Sequence, residues 1–280
     1  MKLFYYRSNI PNFGDDLNEW LWPKVFPNLF NEDFSCLFVG IGTILDDRIP
    51  KEAFKIVFGS GVRNPARPPK IDAKWDIRAL RGKLSARVLN VDEKVAITDP
   101  GILVKLFFQA NHQKTYNISY MPYFRSASKE WEIICKRLGI KYIDPRKSVE
   151  ACLLDISRSK FLFSEAMHGA IIADALRVPW IPVRSFNVVH EDEVHSFKWI
   201  DWCSSLKIEF KPINLPVLWS NVFSFKGRAK KFLKMALIFL KLTYFKRQSD
   251  FVLSNDVIFQ ETIERYLEAI DLFKRDYNLN

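Results

Sequence analysis

The chain has 280 residues, a length that suits two domains of about 100–150 residues each, and 48% of its residues are hydrophobic. A net charge of +10 favours anionic partners, but the absence of zinc-finger spacing, an RNP pattern or a basic helix-turn-helix argues against nucleic acid. No window reaches the roughly 18 apolar residues of a membrane span, and there is no signal-peptide core. We therefore expect a cytoplasmic protein, either free or peripheral on the inner face of the cytoplasmic membrane.

In the first part of the chain, short apolar runs alternate with helical patterns. The predicted strands are Leu3–Tyr6, Ser35–Val39, Phe54–Phe58, Asp76–Leu80 and Val95–Thr98, and the predicted helices are Asp15–Phe26 and Lys83–Leu89. Strands that alternate with helices indicate βαβ units and a parallel sheet.

The same alternation restarts after a polar break at Gln109–Thr115. Strands are predicted at Ile118–Met121, Lys141–Ile143, Phe161–Phe163 and Trp180–Val183, and helices at Ser128–Leu138, Ser148–Ser157 and His168–Leu176. We therefore predict an α/β fold with two Rossmann-like domains, at residues 1–110 and 111–210.

Residues 211–280 are predicted to form a helical extension, with long helices at Arg228–Arg247 and Val257–Arg275. In the first of these, Lys230, Lys234 and Lys241 recur at helical spacing and form a narrow basic row beside a broad apolar face. Two interpretations stay open. The helix lies in a membrane interface, or it packs on the protein with its lysines in water.

The cysteine and histidine spacings do not suggest a metal site. Cys36, Cys135, Cys152 and Cys203 lie in apolar segments without a C-x-x-C pair, so we predict reduced core thiols. No His/Asp/Glu cluster has metal-ligand spacing, and we predict neither an obligatory metal nor a cofactor.

Three segments follow predicted strands, where open α/β sheets bind ligands. In the first, Gly14 permits a close approach of the backbone to a ligand, and Asn12, Asp15 and Asp16 can bond sugar hydroxyls. One aspartate is also suited to capping the following helix. We predict a substrate site here.

The second segment comprises the glycine-rich ends of three strands. Gly61 admits a ligand, while Arg63 and Arg81 can bind a carboxylate or phosphate. For Arg81, a surface position without a ligand is the alternative. The pattern lacks G-x-G-x-x-G and the Walker lysine, which argues against NAD and P-loop ATP sites.

The third segment carries the strongest signal. An apolar strand ends at Ser164, and His168-Gly169 opens an apolar helix, so the imidazole should face the cleft. The other histidines, His112, His190 and His195, have no comparable setting.

Together, these segments resemble the polysaccharide pyruvyltransferase family. The resemblance rests on Asn12–Asn18, Arg81–Ser85, Asp99-Pro100-Gly101 and above all Ser164–Gly169 running into Ala170–Pro179, over roughly residues 1–185. The family pattern that often reads Ser-x-Arg-x-His has Ala166 in place of arginine here. We interpret this as the bacterial exopolysaccharide-type variant, and it leaves open which arginine meets the donor carboxylate.

The resemblance implies a fold similar to GT-B glycosyltransferases, with the site in a cleft between two Rossmann-like domains. It implies phosphoenolpyruvate as donor, a sugar that is often lipid-linked as acceptor, and a pyruvate ketal as product. Residues 228–247 add an anionic membrane surface as a candidate partner.

Roles for the candidate residues follow from that chemistry. His168 is the predicted general acid or base, and Asp15 or Asp16 would orient the acceptor hydroxyls. The donor's anionic groups would be held by Arg81 first, and then by Arg63 and Arg184. Ser164 and the Gly169 N–H could hold its phosphate. The further substrate-binding residues are Glu165, Gly61, Gly14 and Asn12.

Two alternatives stay open. A GT-B glycosyltransferase would share the fold but use a nucleotide-sugar as donor. In that case, Glu165 or Asp174 would bind the ribose of the donor. A non-catalytic membrane-surface subunit of a glycan assembly complex would use the basic helix and no cleft chemistry.

Overall fold

The computed structural model describes residues 1–110, 113–185, 189–218, 225–247 and 251–279, without the side chains of 189–193 and 225–226. The first half contains a four-stranded parallel sheet in the order β1-β2-β3-β4. Its strands are β1 (Lys2–Phe4), β2 (Cys36–Val39), β3 (Phe54–Phe58) and β4 (Trp75–Ala79), and its helices are α1 (Phe13–Val25), α2 (Lys83–Leu89) and the short α3 (Val104–Phe107).

The second half contains a five-stranded parallel sheet in the order β6-β5-β7-β8-β9. Its strands are β5 (Tyr116–Met121), β6 (Lys141–Tyr142), β7 (Ser159–Ser164), β8 (Trp180–Arg184) and β9 (Ile213–Asn214). Its helices are α4 (Lys129–Leu138), α5 (Val149–Ser157), α6 (Met167–Ala175) and α7 (Val189–Ser205). The predicted α/β class with parallel sheets is confirmed.

Local sequence signals account for several helix ends. Ser148 is the N-cap of α5, and its hydroxyl accepts the Ala151 N–H at 3.3 Å. Gly139 ends α4 in the left-handed conformation (φ 63°), which glycine adopts without strain.

One predicted strand is wrong, and three of the strands and α-helices, among them the short α3, were not predicted. Val95–Thr98 forms only an isolated bridge between Leu80 and Ala96, because Asp92 caps a 3-10 turn at Glu93–Val95 immediately before it. The strand β9 and the 17-residue helix α7 have no counterpart in the predicted elements.

The two sheets contribute to one large apolar cluster. Phe38 and Phe58 of the first sheet belong to it together with Leu162 of the second and Ile172 of α6. Burial of apolar surface is the main favourable contribution to folding, so this cluster holds the two halves against each other. The division at residue 110 lies between α3 and β5 and stays a prediction.

The C-terminal helices α8 (Phe225–Phe245) and α9 (Asp256–Asp276) pack on different halves. The Phe273 ring of α9 lies edge-on against Phe26, Phe38 and Phe58 under the first sheet. The helix α8 packs against α4 of the second half. Among the helices that the structure describes, none has both the length and the apolar character needed to cross a bilayer.

Candidate active site

A cleft of about 400 Å³ opens where the loops that follow β1, β2 and β3 meet the loops that follow β5 and β7. Helix α7 closes one side of it. Four cationic side chains line this cleft, Arg48, Arg63, Arg125 and Lys198, whereas its acidic lining consists of Asp15 and the buried Glu165. This charge balance suits a small anion.

His168 lies in the first turn of α6 and lines the cleft, as predicted. Its Nε2 is 3.6 Å from Asp99 Oδ2. On its other side, a Cβ atom at Gly14 would lie only 2.1 Å from His168 Nδ1. Glycine at position 14 therefore lets the first turn of α1 pack directly against the imidazole ring.

Asp99 is fully buried and connects the ring to the backbone beneath it. Its Oδ1 accepts the Gly101 N–H at 2.9 Å, and its Oδ2 has no hydrogen-bond partner among the described residues. A buried carboxylate oxygen is costly to leave unpaired, so the imidazole facing it has an electrostatic reason to stay in place. From the sequence, Asp99 was noted only within the Asp99-Pro100-Gly101 segment of the family resemblance, without a role for its side chain.

The two adjacent aspartates of α1 have separate positions. Asp15 lines the cleft and accepts a hydrogen bond from Asn12 Nδ2 at 2.6 Å. Burial raises the pKa of the Asp15 carboxyl to about 6, although the neighbouring His168 lowers it. Asp16 instead accepts the backbone N–H of Asn12 at 3.2 Å and does not line the cleft. Asp16 therefore supports the helix start, and its predicted catalytic role does not fit this position.

Of the predicted arginines, Arg63 lies in the cleft wall. Within the described part of the chain, its guanidinium has no hydrogen-bond or ion-pair partner, which leaves it available to an anion. Three cleft cations were missed. Arg48 pairs with Asp46, Arg125 lies over the Phe124 ring, and Lys198 lies over the Tyr123 ring.

Arg81 and Gly61 do not reach the cleft, contrary to the prediction. The Arg81 side chain is fully buried, with its Nε 3.3 Å from Asp201 Oδ2 and its Nη1 donating to Thr43 Oγ1 at 2.7 Å. Gly61 packs against this guanidinium, since a Cβ there would lie 2.2 Å from Arg81 Cζ. The reason is α7, which covers the end of β4 and supplies Asp201.

Asp201 also caps α2, whose N-cap residue Gly82 has no side chain. Its Oδ1 accepts the Ser85 N–H at 3.0 Å and its Oδ2 accepts the Ser85 hydroxyl at 2.6 Å. The turn Arg81–Ser85 thus fixes α7 to the first half of the chain. Because α7 also carries His195 and Lys198, this turn acts on the cleft indirectly, through the helix that it holds.

Ser164 ends β7 and Gly169 lies in the first turn of α6, and neither presents a free group to the cleft. The Ser164 hydroxyl and the Gly169 N–H both donate to the Ala166 carbonyl, at 2.7 and 3.0 Å. A Cβ at Gly169 would lie 2.3 Å from Ser164 Oγ. Their predicted contacts with phosphate are therefore replaced by contacts within the turn.

Glu165 is buried at the edge of the cleft and is held by four donors. It accepts hydrogen bonds from the Tyr123 N–H and from the Tyr120, Ser126 and Ser185 hydroxyls. Burial raises its pKa, and the hydrogen bonds oppose that shift. Glu165 therefore fixes the loop that carries Tyr123 and Arg125.

The other acid considered for a nucleotide-sugar, Asp174, lies away from the cleft. It is buried and accepts hydrogen bonds from Trp180 Nε1 at 3.0 Å and from the Ser254 N–H at 2.9 Å. The contacts of Asp174 are structural, and those of Glu165 leave it little capacity for a ribose.

Among the remaining candidates, Arg184 does not line the cleft, but its charge acts on His195. His195, for which the sequence predicted no functional setting, lies in the cleft wall, where its Nε2 accepts the Trp199 indole N–H at 3.1 Å. Burial, with the charges of Lys198 and Arg184, lowers the pKa of His195 to about 3. This ring is neutral at physiological pH. The side chains of His112 and His190 lie outside the described residues.

No group of three His, Cys, Asp or Glu side chains suited to a metal ion occurs within the described ranges. The reaction without a metal or cofactor stays a prediction. Cys135, Cys152 and Cys203 are buried free thiols and Cys36 is partly exposed.

Comparison with known proteins places these residues in a family context. The family model described as polysaccharide pyruvyl transferase matches residues 2–185. The chain is 39% identical over 222 residues to the succinoglycan biosynthesis protein ExoV of Rhizobium meliloti (strain 1021), covering 78% of this chain and 68% of that protein. No solved structure matches the chain.

Proposed function

The chain belongs to the polysaccharide pyruvyltransferase family, and from this premise we propose that it transfers the pyruvyl group of phosphoenolpyruvate onto a sugar of an exopolysaccharide precursor. The observation that carries the proposal is a cleft that combines His168 and Asp15 with four cationic side chains. A donor with both a carboxylate and a phosphate needs such cations.

In the proposed reaction, both hydroxyls of one sugar become bonded to C2 of the pyruvyl group. The first hydroxyl oxygen adds to C2 as C3 gains a proton. The second displaces phosphate, as the bond between C2 and the phosphate oxygen breaks and the O–P bond stays intact. The two hydroxyl protons end on C3 and on the departing phosphate, so the atoms and charges balance.

We assign the proton transfer at C3 to His168, because its ring lies in the cleft wall and is oriented by Asp99. Asp15 is the proposed base for an acceptor hydroxyl. With a pKa of about 6, its carboxylate is the main form at neutral pH yet remains a better proton acceptor than an ordinary aspartate.

For the donor anion, Arg63 and Lys198 replace Arg81 as the leading candidates. Arg63 has no internal partner among the described residues, and Lys198 lies on α7 one helical turn from His195. Arg125 lies on the loop that Glu165 fixes, at the same cleft.

The proposal extends to the acceptor and the place of action. We propose a lipid-linked saccharide that is modified at the inner face of the cytoplasmic membrane, in a GT-B-like cleft between two Rossmann-like halves. The outward apolar face of α8, described below, supports a membrane-proximal acceptor.

Thermal stability with and without ligands tests the donor. We expect phosphoenolpyruvate to raise the melting temperature, with about 2.7 kcal/mol of stabilisation at 100 times Kd. The variants Arg63→Ala and Lys198→Ala should lose that stabilisation. Stabilisation by nucleotide-sugars, with none by phosphoenolpyruvate, would contradict the proposal and favour a glycosyltransferase.

A further inference from the structure

Two of the three lysines in the row predicted for α8, Lys234 and Lys241, contact the protein. Lys234 Nζ donates to the Val217 carbonyl at 2.9 Å, and Lys241 Nζ donates to the Asn214 carbonyl at 2.7 Å. On the same side, Lys231 forms an ion pair with Glu130 of α4. These lysines therefore anchor the helix to the second half.

The opposite side of α8 is apolar and exposed to solvent. Its members are separated from the buried Ile238 and Leu242 by about 80–180° around the helix at 100° per residue. Phe232, Leu233 and Leu240 are 73%, 60% and 64% exposed. With Leu237 and Tyr244, which are also exposed, they form a continuous outer surface that we call the α8 apolar face. A contiguous apolar patch of this kind marks an interaction surface.

Cations border the α8 apolar face. Residues 225–247 contain no Asp or Glu, and the exposed Arg228 and Lys230 lie along its margins. Lys241 also lines a neighbouring groove of about 860 Å³, together with Lys207 and Lys211. An apolar face edged with Lys and Arg is typical of helices that lie in the interface of an anionic bilayer.

A second copy of this chain would be a poor partner for the same surface. Pairing two such faces would bring their marginal cations together, on a protein whose net charge is already +10. Anionic lipid headgroups instead offer the opposite charge at the margins and acyl chains below the face.

We infer that α8 docks the protein onto an anionic lipid bilayer, with the α8 apolar face below the headgroups and Arg228 and Lys230 at the level of the lipid phosphates. This inference goes beyond the proposed function, because it does not depend on the reaction in the cleft.

Flotation of the full-length protein with lipid vesicles tests the inference. We expect it to bind vesicles of phosphatidylcholine with phosphatidylglycerol, and to bind more weakly to phosphatidylcholine alone. The double variant Leu233→Glu/Leu240→Glu should lower partitioning by about a hundredfold or more, since burial of each leucine is worth roughly tenfold. Lys230→Ala should lower partitioning to the anionic vesicles by about fivefold.

Matched variants separate the helix from general surface effects. Leu267→Glu/Leu272→Glu replaces two exposed leucines of α9, and Lys51→Ala removes an exposed lysine of the first half. Both should bind vesicles like the unaltered protein. Unchanged melting temperatures show that all variants fold.

Two outcomes would overturn the inference. One is that the unaltered protein does not differ from a non-binding control in flotation, or that the Leu233→Glu/Leu240→Glu variant floats as well as the unaltered protein. The other is a dimer in sedimentation without lipid that this variant converts to a monomer, which would assign the face to a second copy. Transfer to a water-soluble acceptor, measured without lipid, reports on the proposed reaction separately.

Discussion

Two turns that follow strands of the parallel sheets differ in whether their side chains reach the cleft. The turn after β7 places His168 in the cleft wall, whereas the turn after β4 leaves Arg81 fully buried. Both follow the carboxyl end of a strand, where ligands usually bind. The difference is α7, whose Asp201 covers the second turn. A strand-end residue is therefore a reliable site candidate only when no later element packs over it.

The largest effect in this comparison should come from His168. We expect His168→Ala to lower kcat by about 10²–10⁴, because it removes a general acid–base group, and to lower the melting temperature less than Arg81→Ala does. Phosphate release from phosphoenolpyruvate with a sugar acceptor measures this. Near-normal turnover in the variant would remove His168 from the mechanism.

Arg81 should show the opposite profile. Arg81→Ala breaks a buried ion pair and leaves Asp201 without that partner, so we expect a loss of about 3–5 kcal/mol in the free energy of unfolding. Denaturant titration checks this value.

Arg63→Ala is the matched control for Arg81. It should leave stability unchanged but raise KM for phosphoenolpyruvate by about 10–100-fold, since a charged hydrogen bond contributes about 1.5–3 kcal/mol. If Arg81→Ala were as stable as Arg63→Ala, Arg81 would not have the structural role that its burial indicates.

Gly14 tests how closely α1 and α6 must meet. A methyl group in Gly14→Ala would lie 2.1 Å from His168 Nδ1, so the ring must move, and we expect a loss of up to about a hundredfold in kcat/KM. Gly139→Ala is a suitable control, because a Cβ there meets no atom within 4 Å. Its positive φ of 63° should reduce stability by about 1 kcal/mol without affecting turnover.

The smallest effect concerns pH. Burial raises the pKa of Asp15 to about 6, and the carboxylate is the active form of a base. We therefore expect kcat/KM to fall about tenfold for each pH unit below 6 and to level off above it. Asp15→Asn should have low activity without this acidic limb. If the acidic limb of the pH profile persists in this variant, the limb belongs to another group.

The sequence predicted most strand positions and the His168 turn well, because both depend on local signals. Apolar runs that end in Gly or Pro located most strands, and β3 and α2 match their predicted bounds. The strand-to-helix junction at Ser164–His168 placed the imidazole by the geometry of parallel sheets alone.

The remaining site residues depend on contacts between distant parts of the chain. Asp201 accepts a hydrogen bond from Ser85, which lies 116 positions earlier in the sequence, and neither segment contains a pattern that predicts this contact. Helix α7 was missed, and with it Lys198 and His195, although their spacing of three residues on one helix was a usable signal. Asp15 and Asp16 are adjacent in sequence, and their roles differ only because their side chains leave α1 in different directions.

The position of α9 has a consequence for the synthesis of the protein. Arg78 at the end of the first sheet forms an ion pair with Asp276, 198 residues later, and Phe273 completes the aromatic cluster beneath the same sheet. During translation, that apolar surface stays uncovered until α9 has left the ribosome. The nascent first half must therefore be shielded by chaperones or by transient contacts, and loss of α9 should expose this surface to aggregation before it affects any chemistry.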